Sequence, residues 1–185
     1  MRPIITLSLF ALILGTCTQR NYEKQARAFY QAMNNSSLSA LEELYDDSVR
    51  IGNDGEFISY SFADYQNWLS WDSTFNPTYK VLELKQSEDY VEATISKACT
   101  RIIYLNGEPT VFKEKLRFKN GRIRSVESTE LILFHTEKWV NRRDTLVNWT
   151  AEKHPELVGF IYDQTKQGAI NYLKAIELFE EAKRN

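Results

Sequence analysis

Two Asn-Gly pairs constrain the fold more than any other feature of this sequence. Asn106-Gly107 and Asn120-Gly121 are each flanked by residues that alternate between apolar and polar. Asn-Gly favours the tight type I′ turn, because both residues tolerate positive φ, and such a turn joins two antiparallel strands. Together with a further turn near residues 87–89, the two pairs predict a four-stranded antiparallel meander.

The register of this meander predicts which side chains share a face. Its strands are expected over residues 78–86, 90–105, 110–119 and 122–135. Two-residue turns fix the pairing of the strands, so each cross-strand neighbour can be worked out. One face is apolar at its ends and carries four charged residues in its middle: Lys97, Arg101, Glu114 and Glu127. In the same register Cys99 lies beside the two glutamates, and Phe112 and Thr129 lie beside the arginine.

Three helices are predicted before the meander. Apolar residues fall at helical spacing from Tyr22, and residues 34–37 interrupt this pattern. Ser37 is predicted to cap a second helix, and Ser61 a third helix that runs from Phe62 to Trp71. Helices followed by a long meander with one covered face are typical of the α+β class.

The stretch from Tyr22 to His135 resembles the nuclear transport factor 2-like superfamily, including its SnoaL-like polyketide cyclase branch. The resemblance lies in the helix pair ARAFYQAMNNSSLSALEELYDDSV and the hairpin VFKEKLRFKNGRIRSVES. It implies three N-terminal helices packed on a strongly curved antiparallel sheet, a cone-like half barrel with a pocket between them. The superfamily includes isomerases, dehydratases, epoxide hydrolases, cyclases and members that only bind or assemble. The catalytic residues of its enzymes do not map onto this chain, since no Asp falls on the covered face of the meander.

We expect the pocket to hold a small molecule. Its predicted lining consists of Lys97, Arg101, Phe112, Glu114, Glu127, Thr129, Trp68 and Trp71. Two adjacent carboxylates raise each other's pKa, so Glu114 or Glu127 is a candidate general acid or base. The alternative is a balanced salt-bridge network, because a buried charge costs several kcal/mol unless it is paired. The balanced count favours the network and hence a non-catalytic role.

The sequence predicts neither a cofactor nor a metal site. His135 and His154 lack the spacing of zinc ligands, and the seven glycines form no phosphate-binding motif. Cys99 is expected to be a small buried thiol rather than a nucleophile, because neighbouring carboxylates raise the pKa of a thiol. A net charge of -2 at pH 7 gives no support to nucleic-acid binding.

The N-terminus has the layout of an export signal. An apolar run from Ile4 to Leu14 is shorter than the roughly 20 residues that span a bilayer. The segment LGTC resembles the lipobox of bacterial lipoproteins, which implies cleavage before Cys17 and a lipid on that residue. Residues 1–16 are then the signal peptide and 17–21 a tether, and Thr18 points to the outer membrane, facing the periplasm or the cell surface. The alternatives are an ordinary secretory signal and an uncleaved anchor.

Residues 136–185 form an extension beyond the resembled domain of residues 22–135. An apolar stripe at helical spacing predicts a helix that runs to about Lys183, and Pro155 is placed to open a helix. This stripe is expected to pack on its own domain, where it would cap the pocket, or to form a homodimer interface. Three functions remain open: binding of a small molecule or protein partner, an isomerase, dehydratase or hydrolase, and a dimeric assembly module.

Overall fold

The computed structural model describes residues 21–53 and 55–184. Its helices are α1 (Tyr22–Asn34), α2 (Leu38–Leu44), α3 (Phe62–Thr74), α4 (Thr100–Asn106), α5 (Thr136–Lys153) and α6 (Lys166–Arg184). Its strands are β1 (Val49–Asn53), β2 (Glu56–Tyr60), β3 (Thr78–Gln86), β4 (Tyr90–Ala98), β5 (Thr110–Lys119) and β6 (Arg122–Leu133). The predicted signal peptide and Cys17 lie outside the described residues. No helix in the described ranges has the length and apolar character needed to cross a bilayer.

The six strands form one mixed sheet in the order β2-β1-β6-β5-β4-β3. Four of the neighbouring pairs are antiparallel, but β1 runs parallel to β6. The expectation of an antiparallel sheet is therefore wrong at this pair. Parallel neighbours need a long connection, and here β2, α3 and the rest of the meander separate β1 from β6 along the chain.

The second and third helices begin where their predicted capping residues lie. Ser37 and Ser61 accept hydrogen bonds from the backbone N–H groups of Ala40 and Asp64, which stabilises the starts of α2 and α3. At the end of α1, Asn34 bonds both backbone groups of Tyr79: its Oδ1 accepts from the Tyr79 N–H at 2.6 Å and its Nδ2 donates to the Tyr79 carbonyl at 2.9 Å. These bonds fix α1 against β3.

The second Asn-Gly pair forms the predicted hairpin, whereas the first ends a helix. Asn120 and Gly121 both have positive φ, at 54° and 86°, as a type I′ turn requires. Gly107 instead has φ 90° as the left-handed cap of α4, and its N–H bonds the carbonyl of Ile103. Strand β4 consequently ends at Ala98, and the prediction of a strand to residue 105 is wrong. A glycine with positive φ serves a helix C-terminus as well as a turn, which explains the difference.

The pairing of β4 with β5 differs from the predicted register by an even number of residues. Lys97 lies opposite Thr110, and Glu114 lies opposite Ala93 rather than opposite Cys99. The side chains of a strand alternate between the two faces of the sheet, so an even shift changes the cross-strand neighbours but keeps each side chain on its predicted face. Lys97 and Glu114 therefore stay on the covered face.

Strand β6 is shifted by an odd number of residues. The hairpin begins as predicted, with Phe118 opposite Ile123, but an irregularity next to Arg117 places Leu116 opposite Val126. An extra residue in one strand turns the following side chains to the other face. Glu127 consequently pairs with Lys115, while Ser128 becomes the neighbour of Glu114.

The buried side chains form two clusters. The N-terminal core lies between α1–α3 and the covered face of the sheet, and its largest fully buried side chains are Tyr30, Leu41, Tyr45, Val49, Tyr65, Val91, Ile95, Leu116 and Ile123. The C-terminal core joins the end of α3 to α4, α5 and α6, and includes Trp71, Phe75, Cys99, Ile102, Leu105, Leu146, Phe160, Ala169, Tyr172, Ile176 and Phe179. The apolar stripe of the extension is thus buried within this chain.

Candidate functional site

A cavity of about 280 Å³ lies inside the N-terminal core. Its lining residues are Phe29, Tyr30, Met33, Tyr45, Ile51, Tyr65, Trp68, Tyr79, Lys97, Phe112, Glu114, Val126, Ser128 and Leu131. Most of them are aromatic or aliphatic, and two carry charge. Ligand pockets are usually apolar with a few placed polar groups and measure roughly 300–1,000 Å³. This pocket has that composition and a volume just below that range, so it suits only a small organic molecule.

Glu114 of β5 provides the acidic group of the pocket. Its Oε2 accepts a hydrogen bond from the hydroxyl of Tyr30 at 2.7 Å, and Ser128 lies beside it on β6. Burial raises the pKa of Glu114 above its ordinary value, and the hydrogen bonds of Tyr30 and Ser128 and the charge of Lys97 oppose this rise. Burial and the neighbouring carboxyl raise the pKa of Tyr30 well above its ordinary value, so Tyr30 stays a donor.

Lys97 of β4 provides the basic group and is paired with a carboxylate from a different element. Its Nζ lies 2.8 Å from Oδ1 of Asp72, which is at the inner side of α3 and 2% exposed. The other carboxylate oxygen of Asp72 accepts a hydrogen bond from the hydroxyl of Tyr79 at 2.9 Å. The ammonium also lies 4.6 Å from the ring centroid of Tyr79 and 5.8 Å from that of Trp68. Asp72 thus holds Lys97 at one end of the pocket.

Glu114 and Lys97 do not neutralise each other directly. No ion pair within 4.0 Å joins Glu114 to a basic group in residues 21–53 and 55–184. The carboxyl with the raised pKa therefore faces the cavity with Tyr30 and Ser128 as its polar neighbours. A protonated Glu114 can donate a hydrogen bond to a ligand, and an ionised one can accept a hydrogen bond or remove a proton.

The pairing of Glu114 with Glu127 is wrong. The odd shift of β6 takes Glu127 away from the covered face, and its Oε1 accepts a hydrogen bond from the backbone N–H of Gly55 at 3.2 Å. Thr129 also leaves the predicted pocket: it is exposed, and its hydroxyl donates to the carbonyl of Lys113 at 3.4 Å. The bulge in the hairpin of β5 and β6 is the physical reason in both cases.

Arg101 and Trp71 belong to the C-terminal core rather than to the pocket. Arg101 lies on α4, because that helix replaces the predicted end of β4. Its guanidinium carbon is 4.9 Å from the ring centroid of Trp71, which is 8% exposed and packs edge-on against Phe75. Cys99 caps α4, accepting a bond from the N–H of Ile102 at 3.4 Å, so its predicted place beside Glu114 is wrong too. Of the predicted lining, Lys97, Phe112, Glu114 and Trp68 surround the cavity.

Three polar residues of the site were missed by the sequence reasoning: Tyr30, Asp72 and Tyr79. Asp72 had a detectable signal, because it falls seven residues after Tyr65 and three after Leu69, on the apolar stripe of α3. An acidic residue on such a stripe needs a buried partner. Tyr79 had no comparable signal, since its contact with Asp72 joins a strand to a helix across the core.

A second cavity of about 770 Å³ lies beside this pocket. It runs along the β1–β2 hairpin and shares Ile51, Ser128 and Leu131 with the inner pocket. Ile58 and Leu131, which line it, are 62% and 63% exposed. The outer cavity is therefore partly apolar and adjoins the pocket that contains Glu114.

Comparisons with known proteins concern the fold. No family model matches the sequence, and neither does any curated protein. A protein from Kribbella flavida has a TM-score of 0.50 at 11% identity, over 66% of this chain and 93% of that chain. An NTF2-like protein of unknown function from Cytophaga hutchinsonii has a TM-score of 0.47 at 13% identity, over 61% and 92%. Another from Burkholderia xenovorans has 0.45 at 18% identity, over 58% and 82%.

Identities this low show likeness of fold alone. The described residues form an α+β structure with a six-stranded mixed sheet and helices. This architecture is consistent with the NTF2-like fold.

Proposed function

We propose that this chain is a lipid-anchored protein of the cell envelope, with an NTF2-like domain that binds a small molecule without converting it. The observation that carries the proposal is the pocket lined mainly by aromatic side chains, in which the carboxyl of Glu114 forms no ion pair among the described residues. A pocket of this composition gains affinity from apolar contact and specificity from its few polar groups.

The chemistry of the pocket defines the class of ligand. Burial raises the pKa of Glu114, so the pocket disfavours a further buried charge, and the ammonium of Lys97 is already neutralised by Asp72. The lining therefore suits an uncharged, ring-containing molecule of small size. One hydroxyl or carbonyl group on that molecule would bond Glu114 or Tyr30.

Native mass spectrometry of the protein purified from its own host tests the binding role. We expect a retained ligand of defined mass that is uncharged at neutral pH. Glu114→Gln is expected to weaken its binding by about tenfold, the cost of one or two hydrogen bonds to a buried polar group. Glu127→Gln is the matched control, because it removes a glutamate from the neighbouring strand outside the pocket. Equal losses in both variants would contradict the proposal.

The lipid anchor is supported by the lipobox-like segment that ends at Cys17. Expression in the presence of an alkyne-labelled fatty acid should label the wild-type protein in the envelope fraction. Cys17→Ser should abolish the label, and Cys99→Ser should leave it unchanged, because Cys99 is buried at the start of α4. Label that persists in Cys17→Ser would overturn the anchor.

Proton transfer at Glu114 is the second candidate function, and the raised pKa favours it. As a general base, the ionised carboxyl would take a proton from a carbon next to a carbonyl group and return it to another carbon, giving an isomer. The test is exchange: the retained ligand is incubated with the protein in deuterium oxide. Deuterium uptake that requires Glu114 and not Glu127 would establish catalysis, and no uptake would leave binding alone.

A further inference from the structure

Tyr45 is a buried residue of the inner pocket whose hydroxyl has no hydrogen-bond partner among the described residues. It is 0% exposed and lines the cavity that contains Glu114. The hydroxyl oxygen is itself buried, and residues 21–53 and 55–184 offer it neither a donor nor an acceptor in bonding geometry. A buried tyrosine usually finds a partner for its hydroxyl, because an unbonded polar group in a core lowers stability.

The ring of Tyr45 is held in place without its hydroxyl. Its backbone N–H bonds the carbonyl of Leu41 at 3.0 Å, and its own carbonyl accepts a bond from the guanidinium of Arg122 at 3.2 Å. The ring meets Phe29 edge-on at a centroid distance of 6.1 Å. These contacts fix Tyr45 at the end of α2, so the hydroxyl is not needed to hold it there.

The hydroxyl of Tyr45 lies among other groups that line the pocket. Burial raises the pKa of Tyr45 well above its ordinary value, and the nearby Tyr65 and Glu114 raise it further, so the hydroxyl keeps its proton. The hydroxyl of Tyr65 donates to the sulfur of Met33 at 3.5 Å, and a thioether is a weak acceptor. This wall of the pocket is therefore short of acceptors, and a ligand that supplies an oxygen atom would satisfy it.

Tyr45 differs in one respect from the other buried groups that lack a partner in the part of the chain that the structure describes. None of those groups lines this pocket or the outer cavity; they belong to Gln25, Arg50, Arg101 and Thr150. At Tyr45, an unbonded donor coincides with a space that can hold a ligand.

We propose that Tyr45 selects the ligand of this pocket by donating a hydrogen bond to an uncharged oxygen atom, that of a carbonyl or a hydroxyl group. The inference rests on the binding role proposed above and adds the group that recognises the ligand. Tyr45 determines specificity, because an analogue without the oxygen atom leaves the buried hydroxyl unbonded.

Three related probes test this inference with the full chain in a mild detergent. 1-Tetralone carries a carbonyl group on two fused rings, 1-tetralol carries a hydroxyl group in the same place, and tetralin has no oxygen. The chain has two methionines, Met1 and Met33, and Met33 lines the pocket. The ¹³C-labelled methyl resonance of Met33, identified by its loss in Met33→Leu, therefore reports binding at this site. We expect 1-tetralone, 1-tetralol or both to bind about tenfold more tightly than tetralin, and the tighter of the two identifies the kind of oxygen.

Substitutions assign the preference to one hydroxyl. Tyr45→Phe should remove the preference for oxygen-bearing probes and leave the binding of tetralin unchanged. Tyr90→Phe, the same change at a tyrosine of β4 outside the pocket, is the matched control and should leave all three affinities unchanged. If the wild type shows no preference, or if Tyr45→Phe keeps it, the inference is wrong although the pocket binds. If no probe shifts the Met33 resonance, the proposed ligand class is contradicted, and the inference with it.

Unfolding of the ligand-free protein separates recognition from a structural role. Tyr45→Phe should not lower the urea concentration at the midpoint of unfolding, because it removes a hydroxyl that bonds nothing in the described ranges. A marked loss of stability, or a variant that fails to fold, would show that the hydroxyl has a partner within the protein and would overturn the proposal.

Discussion

The two cores of this molecule each contain a partly buried cation, but the two cations have different partners. In the N-terminal core, Lys97 forms an ion pair with Asp72, which also accepts a hydrogen bond from Tyr79. In the C-terminal core, the guanidinium of Arg101 contacts the rings of Trp71 and two other aromatic residues and bonds no acid among the described residues. The charge of Lys97 is neutralised by a carboxylate of the same chain, whereas the charge of Arg101 is stabilised only by contacts with aromatic rings.

The difference follows from the chemistry of the two cations. An ammonium is a compact, strongly hydrated charge, so its burial needs a carboxylate. A guanidinium is planar and weakly hydrated, and rings can cover its faces while its edge stays unbonded. The first arrangement fixes a pocket wall, and the second leaves the buried Nε of Arg101 without an acceptor among the described residues. Substitutions in the two cores should separate these roles.

The largest expected effect comes from removing the acid of the Lys97–Asp72 pair. Asp72→Asn leaves the buried ammonium without a counter-charge, and breaking a buried pair in this way costs about 3 kcal/mol or more. The two side chains are 13% and 2% exposed, so solvent screens them little. The free energy of unfolding in urea measures the loss.

Two matched variants show whether that loss belongs to the buried pair. Asp89→Asn removes an exposed acid that lies 3.9 Å from Arg117 and should change stability by less than about 0.5 kcal/mol. Adding Lys97→Met to Asp72→Asn should recover part of the lost stability, because the unpaired charge is then gone. A double variant less stable than Asp72→Asn would show that Lys97 stabilises the core without its acid.

The pH dependence of stability should reveal Glu114. Burial raises its pKa in the folded protein above the ordinary 4.5. At pH values between 4.5 and this folded-state pKa, the folded chain therefore holds more protons than the unfolded chain. Stability therefore falls as pH rises through this interval, by about 1.4 kcal/mol for each pH unit that separates the folded and unfolded pKa values. Urea unfolding from pH 4 to 8 should show this fall in the wild type, and Glu114→Gln should remove it.

Tyr30→Phe tests the same titration by changing the pKa of Glu114 instead of removing its carboxyl. Its hydroxyl lowers the pKa of Glu114 by bonding the carboxylate, so its loss should raise that pKa further. The fall in stability should then extend to higher pH than in the wild type. An unchanged pH profile in this variant would show that the bond between Tyr30 and Glu114 does not govern the titration.

Much of the fold could be predicted from local patterns. Strands β3 and β5 have the bounds that alternation and turn residues predicted, and α1, α2 and α3 begin where expected. These features depend on neighbours in the sequence: a cap, a two-residue turn or a stripe at helical spacing. The Asn120-Gly121 hairpin is correct for the same reason.

The candidate site was less predictable because it depends on register. Asn106-Gly107 is the same dipeptide as the turn of the β5–β6 hairpin. Here, however, Ile102 and Leu105 pack in the C-terminal core, and the segment before Gly107 is helical. A bulge in the pairing of β5 with β6 also places Glu127 on the outer face of the sheet, where the sequence predicted the covered face. Tertiary packing decides both outcomes, so neither is readable from adjacent residues.

Gly107, which ends α4, is expected to contribute to stability through its backbone conformation rather than through its contacts. Gly107 has φ 90°, which an L-residue adopts only with strain. Gly107→Ala is expected to destabilise the protein by about 1 kcal/mol, and the added methyl would also displace the flexible side chain of Lys138. Thermal unfolding measures the change. Gly107→Asn should lose less, since Asn tolerates this conformation better than Ala, and a larger loss in Asn would contradict the backbone explanation.

A small net effect on stability is expected at Arg101, which forms no ion pair among the described residues. Arg101→Met loses contacts with three rings, each worth about 0.5–1 kcal/mol, but it also removes a buried Nε that has no acceptor. These contributions oppose each other, so urea unfolding should show a net change within about 1 kcal/mol, well below that of Asp72→Asn. A loss as large as that of Asp72→Asn would mean that the rings stabilise the guanidinium as strongly as a carboxylate stabilises Lys97. The contrast between the two cores would then fail.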